Sequence, residues 1–537
     1  MIRPENFYVV RTPLLPIDVN QQLNHVTKDT LAPVIKEIFR DGYLREAIYI
    51  ASPELYQELN KWLQGEIKSE KDTRKLAAAL YRYLLRMSSR CTPYGLFAGC
   101  ATGEPADHTA IRLGSRHEHI KHCRLDMNYV AELAAAITAA PVIKTQLRYF
   151  PNNSLYAAGS HYRYAAYSIK NKVRSYYLTS VNKTPYLEKM LATATGGATL
   201  TDIRNSIISE ADLIFPEEAT AFTEELVQNQ LLVSELEPTV TGEEFFTHFI
   251  NRLKSLEHTE TIVSTLSRIQ SILSDQQTGT EKYTLIHELV NSLLTDTGSK
   301  DLVQTDLYLS TTSNTLSHTV LNELSAQMGQ LWKLARTDNN SDLQNFRQAF
   351  RQRYEEQEIP LSLALASEAG IGYGHHNRSN TDHTPLVDDI RQQPVKPQTV
   401  TGGTMLEFQL QQLQQCLRER RQTILLTKEQ LDTLKDSDTP ALPNSMYLMG
   451  SILGSSAAAI DNGNYLFDMN GCSGPSAANL LGRFCHGDEK LIVKVKDCLR
   501  EEAANDPEKI YAEVIHLPEA RTGNILMRPQ LREYEIV

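Results

Sequence analysis

No stretch of this chain stays apolar over the roughly 20 residues that a membrane-spanning helix needs. The opening MIRPENFYVVRTPLLPID also lacks the apolar core of a secretory signal. The expectation is a cytoplasmic protein that is not integral to a membrane. Cysteine is sparse and unpatterned. The seven cysteines (Cys91, Cys100, Cys123, Cys416, Cys472, Cys485, Cys498) are odd in number, and no two are spaced C-x-x-C. That argues against a disulfide framework or a zinc ribbon, and for a reducing compartment. Positive charge is not in excess. Lys and Arg number 54 against 65 Asp and Glu, a net charge of −11. Nucleic acid is therefore not attracted by the chain as a whole, and any such contact needs a local basic patch. The glycine-rich pieces SGPS and MGSILGSS lack the lysine of a phosphate loop.

What remains is globular. Hydrophobic residues make up 41% and charged residues 22% of 537, enough for a sizeable core. At roughly 100–200 residues per domain, the length suggests about three or four packed units. The pattern reads as an α+β protein of several domains, with mixed sheets and flanking helices. Tyr8–Arg11 and Ala47–Ser52 read as strands, and Leu31–Asp41 as a helix. Ser52–Leu63 reads as a helix capped by Ser52 with Pro53 in the first turn. Between residues 145 and 237, three Tyr-rich strands precede helices near Pro185–Ala194, Thr199–Ser209 and Pro216–Asn229. A last strand, Leu231–Ser234, closes an outline like a winged helix-turn-helix. Residues 376–402 are polar and rich in Pro and Gly, and read as a mobile loop.

The run DTRKLAAALYRYLLRMSS, residues 72–89, is strongly helical. Arg82, Arg86 and Arg90 fall at i, i+4 and i+8 along one face, while Leu76, Leu80 and Leu84 form a second stripe that can pack inward. Pro93 stops the helix. Like charges so spaced repel unless an anion sits among them, and guanidinium forks match phosphate oxygens.

The stretch that follows, RMSSRCTPYGLFAG (Arg86–Gly99), is similar to the R-x-S-x-R-x-T-P-[FY]-G-L-F-[AS]-G motif of the class I lanthipeptide (lantibiotic) dehydratases. Further blocks fall in that family's order. They are VVRTPLLP (Val9–Pro16), RLDMNYV (Arg124–Val130), QTDLYL (Gln304–Leu309), FRQRYEEQEIPLSLAL with EAGIGYG (Phe350–Gly374), GPSAANLLGRF (Gly474–Phe484) and PEARTGNILMRPQLREYEI (Pro518–Ile536). The resemblance spans essentially the whole chain. It departs from the family at Cys91, where Pro is usual, and at Ser367, near which an Asp is usual.

The resemblance implies transfer of glutamate from glutamyl-tRNA onto Ser or Thr hydroxyls of a precursor peptide, the first half of dehydration. The tRNA ester is already activated, so glutamyl-tRNA serves as co-substrate with no cofactor and no metal. The positions carried over as catalytic are Arg86, Arg90, Thr92, Asp126, Asp306 and Arg483. Arg82, Arg86, Arg90 and Arg528 are the tRNA contacts, with Thr92 orienting one arginine by a hydrogen bond. Asp126 and Asp306 would hold an arginine or the glutamyl amino group. The family's layout divides the chain into residues 1–144 and 238–537, the glutamylation region, around residues 145–237, a winged helix-turn-helix-like leader-peptide recognition element. Tyr162, Tyr164, Tyr176 and Tyr177 are its candidate peptide contacts. Its helices are poor in Lys and Arg, so DNA is not a partner. The expected partners are the precursor peptide, glutamyl-tRNA, a second copy of the chain, a cyclase, and an elimination domain on a downstream polypeptide. The family's N-terminal part continues beyond EYEIV, which suggests a truncated or split enzyme. The rival readings are a related ligase that spends ATP to append an aminoacyl group, and a non-catalytic scaffold for the leader. His117, His119 and His122 in RHEHIKH, and His375–His376, read as solvated. Cys91 and Cys123 lack a sequence-adjacent base for nucleophilic catalysis.

Overall fold

In the computed structural model the described residues are all but 1, 24, 28–29, 171–172, 209–214, 294–301, 336–340, 374–403, 435–440 and 537. The polar stretch 376–402 and His375–His376 lie outside the described residues.

A six-stranded mixed sheet organises the molecule. Strands β1 (Tyr8–Pro13), β2 (Ala98–Ala106), β3 (Ala110–Leu113) and β4 (Ile120–Leu125) come from the N-terminal part. Numbering along the chain, β5 to β10 lie between residues 148 and 234, and β11 (Val303–Tyr308) and β12 (Thr311–Ser317) return to this sheet. β2 pairs antiparallel with β1, and parallel with both β11 and β12. β4 flanks β11 antiparallel, and β3 flanks β12. Strand residues alternate faces, and this sheet uses both. Leu307, Leu309 and Ala101 enter a core built with the N-terminal helices. Cys100 and Tyr308 enter a second core with Phe484, Cys485, Leu491 and Val495.

The helix Glu70–Ser89 lies on the first face. Ser69 caps it by accepting the Asp72 N–H, and Leu76, Leu80 and Leu84 are buried as their spacing predicts. Truncating Leu80, which has no exposed surface, is expected to cost about 2–5 kcal/mol. Leu80→Ala should therefore lower the thermal unfolding midpoint, while Arg82→Ala on the exposed face leaves it unchanged. Helix Pro53–Leu63 starts as expected, with Ser52 as cap and Pro53 in the first turn. Of Ala47–Ser52, expected as a strand, Ser52 alone is extended, and Ala47–Ala51 belongs instead to helix Gly42–Ala51, capped by Asp41. Its buried residues Tyr43, Leu44, Ala47 and Ile48 follow helical spacing, which the short apolar run IYIA does not reveal by itself.

Between residues 145 and 234 a small sheet orders β10 (Leu232–Ser234), β5 (Arg148–Pro151) and β9 (Ala198–Thr199). A second orders β6 (Tyr156–Ala158), β7 (His161–Lys170) and β8 (Val173–Asn182). Helices Pro185–Ala194, Leu200–Ile207 and Pro216–Gln228 pack with them, and Thr199 closes a capping box with Asp202. One continuous core runs from Leu125 through these helices to Phe245, Phe249 and Leu302. In the C-terminal part, β13 (Tyr447–Gly454) and β14 (Tyr465–Ser473) form a hairpin, and β15 (Ala512–Val514) pairs in parallel with β16 (Tyr534–Ile536). Among the described residues no helix is long and apolar enough to cross a membrane.

Candidate active site

The second face of the central sheet carries charge. His122 stands opposite Asp306 in the β4–β11 register, and Arg11 stands opposite Cys100 in the β1–β2 register. Arg124 lies two residues along from His122, so it shares that face. Asp306 is 1% exposed and binds two guanidiniums. Arg124 Nη2 donates to one carboxylate oxygen at 2.7 Å, and Arg483 Nη2 to the other at 2.5 Å. Arg483 sits in the short turn Gly482–Gly487, which lies tightly on β11. Tyr308 donates its hydroxyl to the Phe484 carbonyl at 2.8 Å, and a Cβ on Gly487 would come within 2.2 Å of the Tyr308 ring. Only glycine permits that approach, and the approach aims Arg483. Arg11 stacks over the Phe484 ring at 5.5 Å.

The network extends both ways from Arg124. Its Nη2 also donates to the Asn524 carbonyl at 3.3 Å, and the Asn524 amide donates to Asp126 at 2.7 Å. Asp126 is buried and caps helix Met127–Ala139 through the Asn128 N–H. Burial pushes its carboxyl above the usual range, against the hydrogen bonds from Asn524 and Asn128 that lower it. On the other side Glu244 begins helix Phe245–Leu253 without a capping bond. Its carboxylate instead takes His122 Nε2 at 2.6 Å and lies 4.0 Å from Arg124 Nε. Burial opposes ionisation of Glu244. The His122 hydrogen bond and the nearby His122, Arg124 and His486 side chains outweigh it and hold the carboxyl below its ordinary range. His486 is the reverse case, with burial lowering its imidazole.

His122, Arg124, Glu244, Thr247, Gln270 and Asn524 line a cavity of about 340 Å³, open to solvent. One carboxylate, Asp306, bridges two arginines, and the buried Nε atoms of Arg124 and Arg483 have no hydrogen-bond partner among the described residues, Glu244 standing 4.0 Å from that of Arg124. Donor capacity is thus left over at a partly dry site. Such an arrangement can hold a carboxylate or stabilise a developing oxyanion.

Of the residues singled out in the sequence, Asp126, Asp306 and Arg483 join this network. Arg86, Arg90 and Thr92 do not touch it. Arg86 lies over the Tyr94 ring at 4.1 Å, and Arg82 and Arg90 are exposed. Among the described residues no carboxylate pairs with Arg82, Arg86 or Arg90 at salt-bridge distance, which leaves an open cationic stripe. Thr92 is exposed and makes no hydrogen bond with a described residue, so it does not orient an arginine. Arg528 is already committed to Glu513 at 2.5 Å and to the Leu526 and Val514 carbonyls. Tyr164 is buried and donates to the Asn229 carbonyl, so it is a core residue and not a peptide contact. Tyr162 reaches Glu188 at 3.5 Å, while Tyr176 and Tyr177 are exposed on β8.

RHEHIKH is solvated only in part: Arg116–Glu118 forms a turn in which His117 is exposed as expected, and the other two histidines are not solvated. His119 is buried and accepts the Ser310 N–H, and His122 belongs to the site. Among the described residues no cluster of His, Cys, Asp or Glu has the form of a metal site. Burial raises the thiols of Cys91 and Cys123, so neither is held as a thiolate. The sequence reading missed Arg11, Arg124, His122, Glu244 and Asn524 as site residues. Arg11, Arg124 and Asn524 lie inside the quoted family blocks. Glu244 carries no local signal at all.

The family model described as lantibiotic dehydratase, N terminus, matches residues 40–537. The epidermin biosynthesis protein EpiB of Staphylococcus epidermidis is 28% identical over 377 residues, covering 69% of this chain and 37% of the relative. The nisin biosynthesis protein NisB of Lactococcus lactis subsp. lactis is 22% identical over 373 residues, covering 65% and 35%. The chain thus spans little more than a third of the length of these relatives. Among solved structures, the tRNA dependent lantibiotic dehydratase MibB from Microbispora sp. 107891 superposes with a TM-score of 0.76 at 20% identity, over 98% of this chain and 50% of that one. The glutamylation domain of TbtB, from thiomuracin biosynthesis, gives 0.52 at 15% identity, over 79% and 53%. At these identities the structural matches establish a shared fold.

Proposed function

The chain belongs to the lantibiotic dehydratase N-terminal family, and from that premise we propose that it transfers glutamate from glutamyl-tRNA to Ser or Thr hydroxyls of a precursor peptide. The observation that carries this reading is the Arg124–Asp306–Arg483 bridge beside an open cavity. Attack of a hydroxyl on the tRNA ester builds negative charge on the carbonyl oxygen, and fixed guanidinium donors stabilise such charge. The ester is activated already, so the step spends no ATP. That separates this reading from the ligase.

The stripe of exposed Arg82 and Arg90 with half-buried Arg86 between them is the proposed contact for tRNA phosphates. Affinity for tRNA should then fall steeply with salt, and the Arg86→Ala/Arg90→Ala variant should show both weaker binding and a shallower salt slope. A filter-binding titration that leaves both unchanged removes the assignment. Residues 145–237 are the proposed winged helix-turn-helix-like leader-recognition element. β8 pairs only with β7 among the described residues and exposes Tyr176 and Tyr177, and an extended peptide can add to such an edge.

The direct test mixes the chain with glutamyl-tRNA and the precursor peptide encoded beside its gene, without ATP, and reads the peptide by mass spectrometry. Glutamyl units on Ser or Thr are the expected product. Modification that requires ATP would favour the ligase, and an unmodified but bound peptide the scaffold. Undiminished modification of a leaderless peptide would remove the leader-recognition role.

A further inference from the structure

Among the described residues, His122 is the one imidazole that both lines the cavity and is oriented by a carboxylate. Its Nε2 is held by Glu244 at 2.6 Å. Its Nδ1 has no hydrogen-bond partner among the described residues, and the ring stands edge-on to Tyr308. Glu244 comes from the start of helix Phe245–Leu253 and His122 from β4, so two rigid elements fix the pair. A base whose far nitrogen is held by a carboxylate is the arrangement that serves hydroxyl nucleophiles in general. No hydroxyl of a described residue hydrogen-bonds the His122 Nδ1, and under the proposed function the peptide brings one.

Resting on that transferase reading, we propose that His122, oriented by Glu244, is the catalytic base that takes the proton from the attacking Ser or Thr hydroxyl. The hydroxyl oxygen bonds to the glutamyl ester carbon as its proton passes to His122 Nδ1. The bond from that carbon to the tRNA ribose oxygen breaks, and the imidazolium returns the proton to that oxygen. Atoms and charge balance without a further reactant. Arg124, two residues along the same face, is placed to meet the carbonyl oxygen. The groups facing His122 are Glu244 from the helix start, Arg124 on its own strand, Asp306 and Tyr308 across the sheet, and His486 from the turn above. Lys121 and Cys123 point to the opposite face.

The test is single-turnover glutamyl transfer by the full chain across pH, with the neighbouring precursor peptide and glutamyl-tRNA. His122→Gln retains an amide that can reach Glu244, and circular dichroism checks its fold. It is expected to lower the rate by about 10²–10⁴-fold with KM little changed, and to abolish the acid limb of the pH profile. Glu244→Gln, which leaves the base in place but unsupported, should fall between. Free imidazole should partly rescue His122→Ala. A His122→Gln rate within about threefold of wild type, or a lost rate with the acid limb still present, overturns the assignment. Wild type that transfers no glutamate overturns the transferase reading itself, so the two failures are told apart.

Discussion

Asp306→Asn should lower glutamyl transfer by about 10²–10³-fold, the scale seen when one fixed donor to a developing oxyanion is lost. The change keeps the side chain's size and removes its charge. Arg124 and Arg483 then repel with no negative charge between them. Asp306 touches no substrate in this account, so it acts as a positioning residue that fixes two guanidiniums at once. The loss should therefore appear mainly in kcat, with tRNA affinity nearly unchanged, because the Arg86 stripe lies apart from this network. Replacing Asp306 with Glu should recover part of the rate, since a carboxylate returns at a shifted position. Single-turnover measurement of the three proteins decides it. An Asp306→Asn protein at wild-type rate would detach this network from the chemistry.

The largest expected effect on stability lies away from the site, at Glu46. Its carboxylate has no exposed surface, and its two oxygens accept hydrogen bonds from Lys121 Nζ at 3.1 and 3.0 Å, from the Tyr283 hydroxyl at 2.8 Å and from the Gly279 N–H at 3.2 Å. Lys282 Nζ lies 3.3 Å away. Burial pushes the Lys121 ammonium below its ordinary range, and Glu46 opposes that shift. Removing the carboxylate leaves two buried cations without a counter-charge, which costs about 3–5 kcal/mol. The loss also unties helix Gly42–Ala51 from β4 and from the segment before helix Glu281–Leu293. Glu46→Ala should therefore lower the thermal midpoint at least as much as a typical core truncation such as Leu80→Ala. Adding Lys121→Met to it should restore part of the loss, because one stranded charge is then gone. A double variant no more stable than Glu46→Ala would show that the charges are not the cause.

His122 shows where reading along the chain reaches its limit. In RHEHIKH it sits among charged neighbours, and its period-2 alternation with Ile120 and Arg124 says only that the three share a face. Which face depends on β11, 182 residues further along at the Arg124–Asp306 contact. The same holds for Arg528. Its place beside a proline turn suggests reach, yet Glu513 has already claimed it. Tyr164 shares a face of β7 with Tyr162, and only the packing of the helices beneath buries it and brings its hydroxyl to the Asn229 carbonyl.

By itself, the sequence determined whatever depends on near neighbours. The Leu76–Leu80–Leu84 stripe, the Ser52 cap with Pro53, the Thr199 start and the β7–β8 hairpin all rest on residues a few positions apart, and all stand where spacing placed them. So does the family, because its motif Arg86–Gly99 is contiguous. The tertiary structure alone decided that Arg483 and Arg124 share Asp306, that Glu244 orients His122, and that Ala47–Ala51 coils instead of extending. Those outcomes turn on strand register and on which buried surfaces meet. Such non-local pairings carry no signature in the chain until the sheet that joins them has formed.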